Sequence, residues 1–146
     1  MNQVLAEVAV QSAKSPYMLH HLDNEIFKDS IHGVFTKAEW NSYLQNPNYI
    51  ILEVFYHNQV AGFCLCIQMD HIDLLKIGIL KPYRRKGCAS FLLKELQKLK
   101  KTIFLEVEEF NHSAIQIYLK HDFSFNRKRL FYYSNQSHAW EMVWHP

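Results

Sequence analysis

Apolar positions fall into blocks along this chain, and their spacing switches between helical and extended periods. Two helical pieces are predicted within residues 15–47. Ser15-Pro16 supplies a cap and a first-turn proline, and Tyr17, Leu19 or His20, Leu22, Ile26 and Phe27 follow at helical spacing. Thr36-Lys37-Ala38-Glu39 has the form of a capping box, which opens a second helix carrying Trp40, Tyr43 and Leu44. Asn46-Pro47-Asn48 ends the pair. Residues 49–55 and 60–68 read as strands joined by a turn at His57-Asn58-Gln59, and residues 73–80 are aliphatic enough for a third, mostly buried strand. Ala89, Leu92, Leu93, Leu96 and Leu99 return to helical spacing, with Lys94, Glu95, Gln97, Lys98 and Lys100 on the opposite face. Residues 102–108 alternate as a strand. Asn111 then stands where it can cap a short helix with Ala114, Ile115, Tyr118 and Leu119 as its apolar side, ending near His121. Strands over about 125–133 and 139–144 finish the pattern.

This order predicts an α/β fold. Three antiparallel strands lead into a strand-helix-strand unit, whose crossover is expected to be right-handed with its two strands parallel, and the last strands close a mixed sheet. A length of 146 residues suits one domain with one well-buried core, and no linker, repeat or low-complexity stretch divides residues 1–146.

Chemistry concentrates between the third strand and the helix after it. Arg84-Arg85-Lys86-Gly87-Cys88-Ala89 is a basic, glycine-bearing turn at the predicted helix start. A first helical turn carries N–H groups without intrahelical partners and a partial positive charge, so it binds phosphate through main chain and dipole together. Gly87 has no Cβ to keep such a ligand away.

Arg84-x-x-Gly87-x-Ala89 resembles the pyrophosphate-loop pattern of the GNAT superfamily of N-acetyltransferases. Leu105-Glu106-Val107, Asn111, Ala114-Ile115, Tyr118, Phe123, Arg129, Tyr132-Tyr133, Ala139 and Met142 are similar to the RimI-type branch, whose members acetylate the N-terminal alanine of a small-subunit ribosomal protein. The likeness spans roughly residues 73–144. It implies a GNAT fold: a mixed, mostly antiparallel sheet, flanked by helices and splayed where acetyl-CoA binds. The pantetheine arm would run beside the backbone of Ile77, Gly78 and Ile79, with Asn111 also contacting it. Arg84 belongs to the loop pattern, and the main-chain N–H groups of Arg85, Lys86, Gly87, Cys88, Ala89 and Ser90 would hold the pyrophosphate. The resemblance assigns Glu106 as general base, acting through water, and Tyr118 as the acid that protonates the coenzyme A sulfur. Glu108 shares the face of Glu106 by strand alternation and is its rival. Tyr132 and Tyr133 are candidates for gripping an acceptor peptide. Residues 29–34, which cover the acceptor site in such enzymes, are the least family-like stretch. Pro82 sits one place later than usual, Ala89 replaces the commoner second glycine, and Asp122 stands where a helix-ending glycine is usual.

The implied activity is acetyl transfer from acetyl-CoA to the N-terminal amine of a protein, with a ribosomal protein as partner. Two other readings stay open: an acetyltransferase for a small-molecule amine or a lysine, and a non-catalytic acyl-CoA-binding or protein-interaction domain. The second would need neither Glu106 nor Tyr118. Net charge of +2, with basic residues clustered only locally, argues against direct nucleic-acid binding. The first residues lack a leader pattern and no run approaches the ~18 apolar residues of a membrane span, so a cytoplasmic protein without membrane contact is expected. Cys64, Cys66 and Cys88 form neither a redox motif nor a zinc pair, and none of the nine histidines forms H-E-x-x-H. No metal is expected.

Overall fold

A computed structural model describes residues 7–146; the first six, on which most of the leader reading rests, lie outside the described residues. Strands β1 (Val8–Ser12), β2 (Tyr49–Tyr56), β3 (Gln59–Gln68), β4 (Ile72–Ile79), β5 (Ile103–Glu108), β6 (Ser124–Arg129) and β7 (Ala139–Trp144) form one sheet in the order β1-β2-β3-β4-β5-β7-β6. β1 to β4 run antiparallel, β4 and β5 are parallel, and β7 lies antiparallel between β5 and β6.

Helices α1 (Pro16–Phe27) and α2 (Lys37–Gln45) cover one face of the sheet, and α3 (Cys88–Gln97) and α4 (His112–Lys120) the other. Each helix starts where its capping residue dictates. Ser15 accepts from the Met18 N–H at 3.2 Å, and Thr36 and Glu39 exchange both bonds of the capping box. Leu19, Leu22 and Phe27 of α1 and Trp40 of α2 pack on Ile51, Phe63 and Leu65. On the other face, Leu92, Leu93 and Leu96 of α3 and Ile115 and Tyr118 of α4 pack on Ile72, Leu74, Leu105, Val107 and Met142. Among the described residues no helix is long and apolar enough to cross a membrane.

The feature that creates a site is the parting of β4 from β5. Their pairing is confined to Ile72–Leu74 against Ile103–Leu105. Immediately beyond, the β3–β4 register steps from Cys66↔Leu74 to Leu65↔Lys76, leaving Leu75 as an extra residue on β4. A bulge bends its strand and re-aims the side chains after it. Leu74 therefore lies in the α3–α4 core, whereas Lys76 points to α1. Gly78 permits the approach of that helix: a Cβ there would stand 2.7 Å from a Phe27 ring carbon and 2.9 Å from Ile26.

Several elements differ from the sequence reading. β1 was not anticipated, because five residues at the sheet edge carry too short an alternation, and their partner strand is some 45 residues away. Residues 81–83 form a 3₁₀ turn in which Pro82 is accommodated near the start. The extended run expected to reach residue 133 stops at Arg129; Tyr132 and Tyr133 lie in the following loop, where Phe131 adopts a positive φ of 52°. Asp122 has φ 67°, the left-handed conformation usually given to glycine after a helix.

Candidate active site

A cleft of about 450 Å³ opens where β4 and β5 separate. It is walled by Leu75 to Ile79 on one side, Leu105 to Glu108 on the other, Ile26, Phe27, Ser30 and His32 from α1 and its following loop, and Asn111, Ala114, Ile117 and Tyr118 at the α4 end. Main-chain polarity within it follows from strand alternation. The Leu80 N–H bonds the Ala61 carbonyl at 2.7 Å, so the main-chain groups of Gly78 and Lys76 also face β3, and those of Ile77 and Ile79 face the opening. Arg84 donates through Nε to the Ile79 carbonyl at 3.0 Å, which leaves Ile77 as the main-chain pairing edge inside the cleft. Gly78 contributes the space for Phe27 rather than main-chain polarity.

At one end of the opening stands the start of α3. Gly87 is its N-cap, with φ 84° and no side-chain capping bond, so the first-turn N–H groups of Cys88, Ala89 and Ser90 have no capping acceptor. Space around Gly87 is open: an added Cβ would meet nothing within 4 Å. Arg85 also has a positive φ, 62°, so Arg85, Lys86 and Gly87 make a tight turn ahead of the helix. Arg84 and Ala89 line the cleft; Arg85, Lys86, Gly87, Cys88 and Ser90 surround the helix start without lining it. The Cys88 side chain is buried in the core, and burial pushes its thiol up. Ser90 Oγ is hydrogen-bonded to His121 Nε2 at 2.8 Å, tying the first turn of α3 to the end of α4. Arg84, the exposed turn and the uncapped N–H groups suit a pyrophosphate, and the Ile77 edge suits an extended amide-bearing arm, so acetyl-CoA fits the residues present.

Alternation along β5 sends Leu105 and Val107 into the core and Glu106 and Glu108 to the opposite face. Arg129 Nη1 donates to Glu106 Oε1 at 2.8 Å, and the same guanidinium lies over the Tyr132 ring at 4.6 Å. Glu108 Oε2 accepts from the Phe110 N–H at 2.9 Å. Tyr118 comes from the other side of the sheet. It is 7% exposed, and burial, with a smaller contribution from Cys64, pushes its hydroxyl well above the ordinary tyrosine range. It is therefore a protonated donor throughout the neutral range. Asn111 caps α4 by accepting from Ala114 N–H at 3.3 Å while still lining the cleft. Tyr133 lies edge-on to His32 at 5.4 Å. Its hydroxyl is pushed up by burial first and then by Tyr132, Glu106, Tyr118 and Glu108, the groups that surround it.

The sequence reading gave no role to Asp23 or Lys76, and took His32 only as part of the acceptor-covering stretch 29–34. Lys76 Nζ donates to Asp23 Oδ1 at 2.5 Å and to the Gly33 carbonyl at 2.7 Å, between the rings of Phe27 and Phe35. Asp23 Oδ2 accepts from the Phe35 N–H at 2.8 Å and from Trp40 Nε1 at 3.1 Å. Four bonds thus pin residues 33–35, in the α1–α2 connection that lines the cleft through Ser30 and His32. A signal was available: a lysine inside an aliphatic strand and an aspartate beside Leu22 on an otherwise apolar helix side are charges that burial forces to find each other. Among the described residues no group of three or more His, Cys, Asp or Glu side chains is placed to hold a metal ion.

The sheet thus opens between two parallel neighbours, with an exposed helix start at one end of the cleft and a buried tyrosine and two glutamates lining it, an arrangement that fits a coenzyme A-dependent acyltransferase. The chain belongs to the acetyltransferase (GNAT) family, whose profile matches residues 16–123, and it is an acetyl-CoA-dependent N-acetyltransferase. It is 34% identical over 99 residues, 64% of this chain and 67% of the relative, to the ribosomal protein bS18-alanine N-acetyltransferase of Haemophilus influenzae. Its fold is similar to that of the ribosomal-protein-S18-alanine N-acetyltransferase from Escherichia coli, with a TM-score of 0.77, 21% identity and coverage of 93% of this chain and 92% of the other. It is similar also to Arabidopsis thaliana Naa50, crystallised with the bisubstrate analogue CoA-Ac-MVNAL, with a TM-score of 0.80, 18% identity and coverage of 97% and 100%.

Proposed function

We propose that this enzyme acetylates the α-amine of a protein N-terminus, with the N-terminal alanine of a small-subunit ribosomal protein as its acceptor and the cytoplasm as its place of action. The observation that carries this reading is the pairing of functions across the gap. Glu106 and Glu108 face the cleft from one side of the sheet and buried Tyr118 from the other. A thioester carbonyl lying between them meets an amine on the carboxylate side and a proton donor on the sulfur side. Glu106 acts as general base through water, Tyr118 protonates the departing sulfur, and Tyr132 and Tyr133 flank the incoming peptide. The activity named for the bS18-alanine acetyltransferase and the peptide-bearing bisubstrate analogue CoA-Ac-MVNAL crystallised with Naa50 support the same acceptor class.

Ionisation favours an α-amine over a lysine. Their reference pKa values are near 7.7–8.0 and 10.4, so about a tenth of the first and about one part in two thousand of the second is neutral at pH 7. Lysine would require roughly 3–4 kcal/mol more from the site to reach the same neutral fraction. The test is turnover of acetyl-CoA against peptides with different N-termini. Alanine peptides should be acetylated once, at the N-terminus, and become inert when that amine is blocked. Efficient acetylation of a blocked, lysine-containing peptide would overturn the acceptor assignment.

A further inference from the structure

The ionisable side chains lining the cleft are His32, Lys76, Arg84, Glu106, Glu108 and Tyr118. Four of them are already engaged: Lys76 by Asp23, Arg84 by the Ile79 carbonyl, Glu106 by Arg129 and Glu108 by the Phe110 N–H. The side chains of His32 and Tyr118 make no hydrogen bond within the described residues. Tyr118 is buried and protonated. His32 is exposed on one side, while its ring is fixed edge-on between Phe27 at 6.0 Å and Tyr133 at 5.4 Å.

The reaction sets a proton count. An acceptor ammonium and acetyl-CoA give an amide, free coenzyme A and one proton: a C–N bond forms, the C–S bond breaks and its electron pair leaves on sulfur. Two protons depart from nitrogen, one before attack and one after it, and one proton is returned to sulfur. The surplus proton must reach solvent.

We propose that His32 is a further catalytic residue, whose imidazole takes the proton released by the acceptor ammonium before attack and passes it to solvent. This rests on the amine-acetylating function proposed above. Proton affinities favour the division of labour. By reference values an α-ammonium near 7.7–8.0 gives its proton to an imidazole near 6.5 with a smaller uphill step than to a carboxylate near 4.3, and the lowering of His32 lengthens that step while keeping the ring in its proton-accepting form. The nitrogen of the tetrahedral intermediate is far more acidic, so the water held by Glu106 suffices for the second proton. The groups facing His32 keep it receptive. Burial and Lys76 push its pKa down against the opposing pull of Glu108, so the ring is neutral at pH 7, and the neighbouring Tyr133 hydroxyl is uncharged there.

His32→Phe keeps an aromatic ring between Phe27 and Tyr133 and removes both nitrogens. The acceptor panel holds N-terminal peptides, lysine derivatives and small amines, so that His32 is judged on whichever amine the wild-type enzyme acetylates. Inert peptides beside an active small amine would sink the N-terminal reading alone. For His32→Phe, kcat/KM at pH 7 should fall by about 10²-fold, and the deficit should shrink towards pH 9 as the amine deprotonates unaided, with acetyl-CoA affinity unchanged. Glu106→Gln should show no such recovery. Activity of His32→Phe within about twofold of wild type from pH 6 to 9, or a deficit equal at every pH, would overturn the proposal.

Discussion

Arg129 joins Glu106 to Tyr132: its Nη1 lies 2.8 Å from the Glu106 carboxylate while its guanidinium covers the tyrosine ring at 4.6 Å. One side chain therefore sets both the direction of the Glu106 carboxylate and the start of the β6–β7 loop. Its energetic worth to folding is small. With side chains 36% and 26% exposed, the pair contributes about 0–1 kcal/mol after solvent screening. Arg129→Ala should hardly move the thermal midpoint but should lower kcat, since an unheld Glu106 samples other rotamers. Arg129→Lys keeps the charge, loses the planar stack, and should recover activity only in part. Unchanged kinetics in both variants would reduce the contact to a surface ion pair.

Gly87 combines a left-handed φ of 84° with open space around it, and substitutions can separate the two demands. Asparagine tolerates that backbone conformation, whereas a β-branched residue resists it. Gly87→Asn should leave the thermal midpoint near wild type yet weaken acetyl-CoA binding, because its side chain enters the space beside the helix start. Gly87→Val should lose both stability and affinity. Calorimetry giving a wild-type acetyl-CoA affinity for both would remove the pyrophosphate from this turn.

Legibility in the sequence followed the range of the forces involved. The helix caps at Ser15, Thr36 and Asn111 and the turn at residues 57–59 are local, and all four hold in the structure. His57 and Asn58 take positive φ values of 46° and 66°, as a two-residue hairpin loop requires. Alternation made legible the face shared by the two β5 carboxylates, and helical spacing the side of α4 that carries Tyr118, while the candidate roles of Glu106 and Tyr118 came from the resemblance. What escaped was long-range. Lys76 and Asp23 are 53 residues apart and meet only because the bulge at Leu75 turns Lys76 towards α1. His32 is defined by neighbours on β4, β5 and the β6–β7 loop, none of which its own segment reveals. β6 reads as longer than it is because Leu130 to Tyr133 are apolar and aromatic, yet they stand exposed or half-exposed beyond the strand end.

The Asp23–Lys76 pair should be costly to break by halves. Both side chains are almost wholly buried, at 0% and 5% exposed, and Asp23 also holds Phe35 and Trp40. Lys76→Met should destabilise by about 3–5 kcal/mol, because it strands a buried carboxylate. It should also raise KM for the acceptor more than for acetyl-CoA, since the Gly33 anchor of the α1–α2 connection is lost with it. Asp23→Leu combined with Lys76→Met removes both charges and should regain a large part of the stability while leaving the acceptor KM high. Equal effects on both substrates would mean that this connection does not shape the acceptor side.

Tyr118 offers a test in which fold and chemistry separate with pH. Burial raises its hydroxyl above the ordinary value near 10, so above that value the unfolded chain releases a proton that the folded enzyme retains. The resulting stability is fully present below pH 10 and is lost as pH rises through the raised folded value. Tyr118→Phe removes this contribution, so its stability should fall less steeply than that of wild type above pH 10, with little change at pH 7. Its chemistry should change at every pH. Without a donor for the leaving sulfur, kcat should drop by about 10²-fold, and acetyl-CoA affinity should persist because the ring still fills its place between α4 and the sheet. Tyr133→Phe is the informative control: its hydroxyl is also raised by burial, so its alkaline stability curve should flatten likewise, while its effect should fall on the acceptor KM rather than on sulfur protonation. A Tyr118→Phe enzyme with wild-type kcat, measured where chemistry limits the rate, would return Tyr118 to a packing role and leave the sulfur to be protonated by water.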